Sequence, residues 1–172
     1  MRDKMIFILV FLSIVLIGCQ EPSAELIQLT LNPGVDTIEI GASYQDPGAK
    51  AKYGVLDLEV EVISNSLDIE TIGTYEIIYE ARHQTFIKRV KRILVVVDKT
   101  PPNLYLNPGI DTIKIGETWI DEGVIAEDLS GILEVTQSGS VLNSIGTYII
   151  TYTATDLYGN ESSIQRVVHV IE

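Results

Sequence analysis

Cysteine is almost absent from this chain: Cys19 is the only one in 172 residues. No internal disulfide is therefore available, and any domain must be held by its apolar core alone. Positive charge is also scarce. Twelve Lys and Arg face 24 Asp and Glu, for a net charge of −12, which disfavours nucleic acid and anionic membrane surfaces as electrostatic partners. The motifs of common enzyme classes are missing: no Gly-x-Ser-x-Gly, no His-Glu-x-x-His, no phosphate-binding glycine loop. Paired carboxylates do occur, but in an acidic surface chain they mean little without a cleft. The expectation is a protein that is not an enzyme. Helical periodicity is absent as well, which leaves β structure to account for the body of the chain.

The N-terminus carries the clearest local signal. Arg2 and Lys4 precede an apolar run, Met5–Ile17, of 13 residues. A bilayer span takes about 20 residues, so the run reads as a cleaved secretory signal. Leu16-Ile17-Gly18-Cys19 resembles the lipobox of bacterial lipoproteins. That resemblance implies cleavage between Gly18 and Cys19, a diacylglycerol thioether on Cys19, and acylation of the new amino group with a chain such as palmitate. The bland alternative is an ordinary signal peptide that leaves a free thiol. Two or three acyl chains hold a protein stably on a membrane where one is marginal. The expected address is the bacterial cell membrane, on its extracytoplasmic side. Loss of residues 1–18 removes Arg2, Asp3 and Lys4 and takes the net charge from −12 to −13.

Beyond the leader the chain repeats itself. Leu29–Gly41 (LTLNPGVDTIEIG) and Leu104–Gly116 (LYLNPGIDTIKIG) lie 75 residues apart and agree at ten of thirteen positions. The match runs on through Tyr44 and Trp119, Asp46 and Asp121, Gly48 and Gly123, and Ala51 and Ala126. After a slip of two residues it resumes at Ile72–Tyr75 and Ile145–Tyr148 and ends with Tyr79/Ala81 against Tyr152/Ala154. The period marks a duplicated module of roughly 70 residues, near the lower limit for independent folding.

Each copy reads as strands. Tyr148, Ile150, Tyr152 and Ala154 alternate with threonines and Ile149, and Tyr75, Ile77, Tyr79 and Ala81 alternate with Glu76, Ile78 and Glu80, the pattern of a strand with one buried face. Further strands are predicted at 26–31, 36–40, 58–63 and 91–97, and at 104–106, 111–115, 133–137 and 165–171. Asn-Pro-Gly, Asp-Pro-Gly and Tyr-Gly-Asn turns separate them. Pro101 and Pro102 follow the last strand of the first copy and predict a short, stiff connection.

Asp98–Pro102 (DKTPP), Gly116–Gly123 (GETWIDEG), Ile145–Asp156 (IGTYIITYTATD) and Gly159-Asn160 resemble the immunoglobulin-like repeats of bacterial surface proteins, also found in pesticidal crystal proteins and beside hyalin repeats. The resemblance implies an all-β chain of two tandem immunoglobulin-like β-sandwiches serving as spacer, stalk or adhesion modules. The expected division is a signal peptide at 1–18, an anchor and tether at 19–25, a diverged first domain at 26–98 and a second at 99–172. The first copy departs from the pattern where Arg82-His83-Gln84-Thr85-Phe86 replaces Thr155–Asn160. The partner expected beyond the membrane is a carbohydrate or a protein; the alternative is a purely structural spacer in an envelope complex.

Four features compete with plain packing. Asp156, Gly159 and Asn160 suit a structural hairpin turn; the sharper reading joins Asp156 to Asp121 and Asp128 as oxygen ligands for Ca2+. No spaced EF-hand run supports it. Trp119 fits the sandwich core as Tyr44 does; as a sugar-stacking platform, with Tyr158 as a second contact, it would have to be exposed. Lys88-Arg89-Val90-Lys91-Arg92 reads as a solvated strand edge that blocks unwanted pairing, with anionic lipid or wall polymer as the other partner. His83 and His169 occupy unrelated repeat positions and read as surface residues.

Overall fold

A computed structural model describes residues 23–172. Gly18 and Cys19, the expected cleavage and lipid sites, lie outside the described residues. A single 3-10 turn, Ala24–Leu26, leads into the first strand. Among the described residues no helix is long and apolar enough to cross a membrane.

The first half builds β1 (Ile27–Leu31), β2 (Thr37–Glu39), β3 (Ala49–Tyr53), β4 (Leu56–Leu58), β5 (Val60–Asn65), β6 (Gly73–His83) and β7 (Phe86–Val97). The second builds β8 (Asn103–Leu106), β9 (Thr112–Lys114), β10 (Val124–Glu127), β11 (Ile132–Ser138), β12 (Gly146–Asp156) and β13 (Glu161–Ile171). In each half a four-stranded sheet, β2-β7-β6-β5 or β9-β13-β12-β11, faces a smaller one, β1-β3-β4 or β8-β10. The result is the tandem β-sandwich that the sequence predicts.

The long hairpins are the backbone of each module. β6 and β7 pair antiparallel from Gly73↔Val96 to His83↔Phe86; β12 and β13 pair from Gly146↔Val170 to Thr155↔Glu161. Short β2 and β9 run parallel to the last strand of their module. The alternation expected of β6 and β12 is realised: Ile77, Tyr79 and Ala81, and Ile150, Tyr152 and Ala154, are buried. Leu94 and Val96, or Val168, close the core from the neighbouring strand.

Two departures from the sequence reading have local causes. The strand expected at 58–63 divides at Glu59: β4 pairs with β3 in the small sheet, and β5 pairs with β6 in the large one. A period-two pattern does not show a chain changing sheets. β3 and β10 were not expected. β3 reads Ala-Lys-Ala-Lys-Tyr, and alanine and lysine are poor strand formers; pairing with β1 and burial of Ala51 decide the matter.

Candidate functional site

The Asn-Pro-Gly-x-Asp repeat builds a polar clamp that the sequence reading did not find. Arg92 on β7 and Arg166 on β13 project inward, 1% and 2% exposed. Arg92 donates to Asp36 Oδ1 at 2.6 Å and to the carbonyls of Asn32 at 2.6 Å and Gly48 at 3.3 Å. Arg166 repeats this with Asp111 at 2.9 Å, Asn107 at 2.5 Å and Gly123 at 3.3 Å. Gly34 and Gly109 leave room for the guanidinium; a Cβ on Gly109 would stand 2.9 Å from Arg166 Nη1. Arg92 is therefore no member of a solvated edge. Its neighbours Arg89 and Lys91 reach across the hairpin to Glu80 at 2.7 Å and Glu76 at 2.8 Å. The visible signal was a charged residue on the inward register of Arg166-x-Val168-x-Val170.

The same network takes Asp121. Its Oδ1 accepts the Tyr152 hydroxyl and the Gly123 N–H, just as Asp46 accepts Tyr79 and Gly48. Burial, and then the hydrogen bond to the carboxylate, pushes both tyrosines up to about 12. Asp121 thus stands apart from Asp128 and Asp156 and is not a Ca2+ ligand beside them.

Asp128 and Asp156 do come together, and their third companion is Asp98 of the linker. One carboxylate oxygen from each lies within 4.8 Å of the others. Asp156 ends β12 and is fully buried. Its Oδ1 accepts the N–H groups of Tyr158 at 2.8 Å and Asn160 at 2.9 Å, and its Oδ2 the Asn160 amide at 2.7 Å. Burial pushes this carboxyl upward, but the bonds from Asn160 and Tyr158 outweigh it and hold it below the usual range. Asp128 follows β10 and accepts Ser130 N–H and Oγ–H through Oδ1. Asp98 follows β7; its Oδ1 accepts Thr100 N–H at 3.0 Å, and Asn160 Nδ2 reaches its carbonyl at 3.5 Å.

This cluster lies where the two modules meet. A cleft of about 120 Å³ is lined by Ile40 from the first half, Asp98, Thr100 and Asn103 from the linker region, and Asp128 and Leu129 from the second. Glu39 ties the linker down by accepting Lys99 N–H at 2.7 Å and the Thr100 hydroxyl at 2.8 Å; the Lys99 bond above all lowers its carboxyl. Ser162 Oγ donates to Pro102 O at 2.5 Å on the other side.

Trp119 and Tyr158, paired as ligand contacts, lie at different places. Tyr158 is 54% exposed on the β12–β13 turn, next to the linker. Trp119 is half-buried against Ile150, Tyr152 and Val168 and lines a cleft of about 250 Å³ with Thr118, Leu142, Asn143 and Val170. Val170 pairs with Gly146, at the end of the hairpin away from the linker. His83 stacks on Tyr53 with ring centroids 4.0 Å apart, and His169 Nδ1 lies 3.0 Å from Thr147 Oγ1.

Two β-sandwiches with repeated clamps define a tandem immunoglobulin-like protein. Residues 30–96 and 110–170 match the family described as bacterial surface protein, Ig-like domain, and the chain belongs to that family. No curated protein matches it. Among solved structures it is similar to the lipoprotein BT2262 from Bacteroides thetaiotaomicron, at 17% identity over 83% of this chain and 100% of that one, with a TM-score of 0.34. It is also similar to human protocadherin-24 EC1-2, at 12% identity over 84% and 99%, with a TM-score of 0.41. For Drosophila N-cadherin EC1-4 the figures are 13%, 78%, 47% and 0.34.

Proposed function

We propose that this chain is a lipid-anchored protein of the bacterial envelope, held by Cys19, whose two modules present an adhesive or ligand-binding surface. The observation that carries the reading is the order along the chain: a lipobox-like Leu16–Cys19, six tether residues, then two modules of a surface family. Even fully extended, six residues reach only about 20 Å, and Ala24 and Glu25 are wound in the 3-10 turn, so the first module stands close to the bilayer and the second lies farther along the chain. The cleft beside Trp119 supports a small ligand on that second module. At about 250 Å³ it falls just below the range of about 300–1,000 Å³ of small-molecule sites, a size for one sugar unit. Thr118 and Asn143 offer polar groups beside the indole.

A glycan array and an envelope pull-down with the mature chain test the proposal. Saturable glycan binding that Trp119→Ala abolishes, with the β-sheet circular dichroism intact, supports a binding module. Co-purification of one envelope protein with no glycan signal favours the spacer or assembly role instead.

A further inference from the structure

We infer that Asp98, Asp128 and Asp156 form a calcium site that clamps the inter-module linker onto the second module. Three observations carry this inference. First, the charges are crowded and no cation pairs with them. Their oxygens lie within 4.8 Å of one another, Asp156 is fully buried and Asp98 is 8% exposed, and no ion pair among the described residues involves any of the three. Buried carboxylates without a cation are costly to hold.

Second, Asp98 Oδ2 is buried and has no hydrogen-bond partner among the described residues, although Asp98 lines the junction cleft. Each carboxylate offers about four lone-pair sites, and the donors around Asp98 and Asp128 engage only Oδ1. The open oxygens need a ligand that is positive and accepts several of them at once.

Third, the fold itself does not require these acids. At the corresponding places of the first module the repeat puts Ser23 for Asp98, Tyr53 for Asp128 and His83 for Asp156. There Tyr53 and His83 stack as rings. The same architecture is thus built once with a stacked ring pair and once with three carboxylates, and the carboxylates occur where a second module adjoins.

The donor chemistry selects the ion. All the groups are hard oxygens, with no thiol or imidazole among them, which suits calcium or magnesium and not zinc or copper. Calcium binds oxygens at 2.3–2.6 Å, so opposite ligands stand roughly 4.6–5.2 Å apart, and the carboxylate spacing fits inside that sphere. Asn103, which also lines the cleft, offers a further amide oxygen. Since Asp98 belongs to the linker and the other two to the second module, bound calcium fixes the linker against β10 and β12.

The test uses full-length protein in detergent, stripped with chelator and titrated with CaCl2 by calorimetry. One saturable site is expected, with a rise in Tm of about 5–10 °C at a hundredfold excess over Kd. Trypsin cleavage after Lys99 should slow at least about tenfold in calcium, because cleavage needs the local opening that binding suppresses. Asp98→Asn should abolish both responses, yet melt no lower than the parent in chelator, since one of three crowded charges is gone. Asp128→Asn serves if Asp98→Asn fails to fold, and Asp57→Asn, an exposed acid paired with Lys52, should behave as the parent. Absence of saturable calcium binding, an unchanged response in Asp98→Asn and Asp128→Asn, or an equal loss of Tm with and without calcium would overturn the inference.

Discussion

Arg166 is a cation with no exposed surface to speak of, and its surroundings show what it is for. Its guanidinium donates to the carbonyls of Asn107, at the start of the turn at 107–111, and of Gly123, just before β10, and holds Asp111 beside them. Replacement by leucine leaves the Asn107 carbonyl without that donor, while Gly123 O keeps the Asn107 N–H, a cost of about 1–3 kcal/mol. Asp111 keeps 38% of its side chain in solvent, so its own stranded charge adds little. Urea unfolding of Arg166→Leu should show that loss. Glu80 gives a pH signature. Arg89 donates to it, burial opposes, Arg82 adds a second cation, and its carboxyl is held below the ordinary value. A depressed folded pKa contributes stability above the unfolded value of about 4.3, and loses it as pH falls through the folded one. The acid limb of the unfolding profile should therefore be flatter in Glu80→Gln than in the parent. Little of this was legible in the sequence. Asp121 looked like a free acid because its partner Tyr152 lies 31 residues away, and Arg92 looked solvated because it sits in a run of basic residues whose alternation sends only some of them outward.

At the level of elements, the duplicated turns and hairpins were legible because their chemistry is local. Asn-Pro-Gly, Asp-Pro-Gly and Gly159-Asn160 mark bends wherever they occur, and the alternation of Tyr75–Ala81 and Tyr148–Ala154 names the buried face of β6 and β12. β3 was not legible, because its strand character comes from pairing with β1 and not from its own residues; β10, Val-Ile-Ala-Glu, has strand-forming residues in a run too short to show a period, and pairing with β8 completes it. Two glycines separate conformational strain from crowding. Gly54 and Gly139 both have positive φ, +61° and +95°. An added Cβ meets nothing at Gly54, but at Gly139 it runs into the backbone carbonyl of Ile149, at the open end of the β11–β12 pair. Alanine at position 54 should cost about 1–2 kcal/mol, the ordinary penalty of left-handed backbone. Alanine at position 139 should cost clearly more, because a main-chain atom must move. Comparing the two urea midpoints checks the order.

For the whole molecule, the tandem arrangement could be read from the repeat alone, and the family match over both copies agrees with it. What joins the copies could not. The linker announces stiffness through Pro101 and Pro102, yet the contacts that fix it, Glu39 to Lys99 and Thr100 and Asn160 to Asp98, span about 60 residues of sequence. The candidate calcium site has the same origin: Asp98, Asp128 and Asp156 are brought together only when the β12–β13 turn packs against the linker. The proposed function depends most on Cys19. Membrane fractionation of cells producing the parent and Cys19→Ser, followed by immunoblotting, tests it directly. Lipid anchoring at Cys19 predicts parent protein in the membrane pellet, extracted by detergent and not by salt, and Cys19→Ser in the soluble or secreted fraction. Cys19→Ser that stays in the pellet in the same proportion as the parent would contradict it.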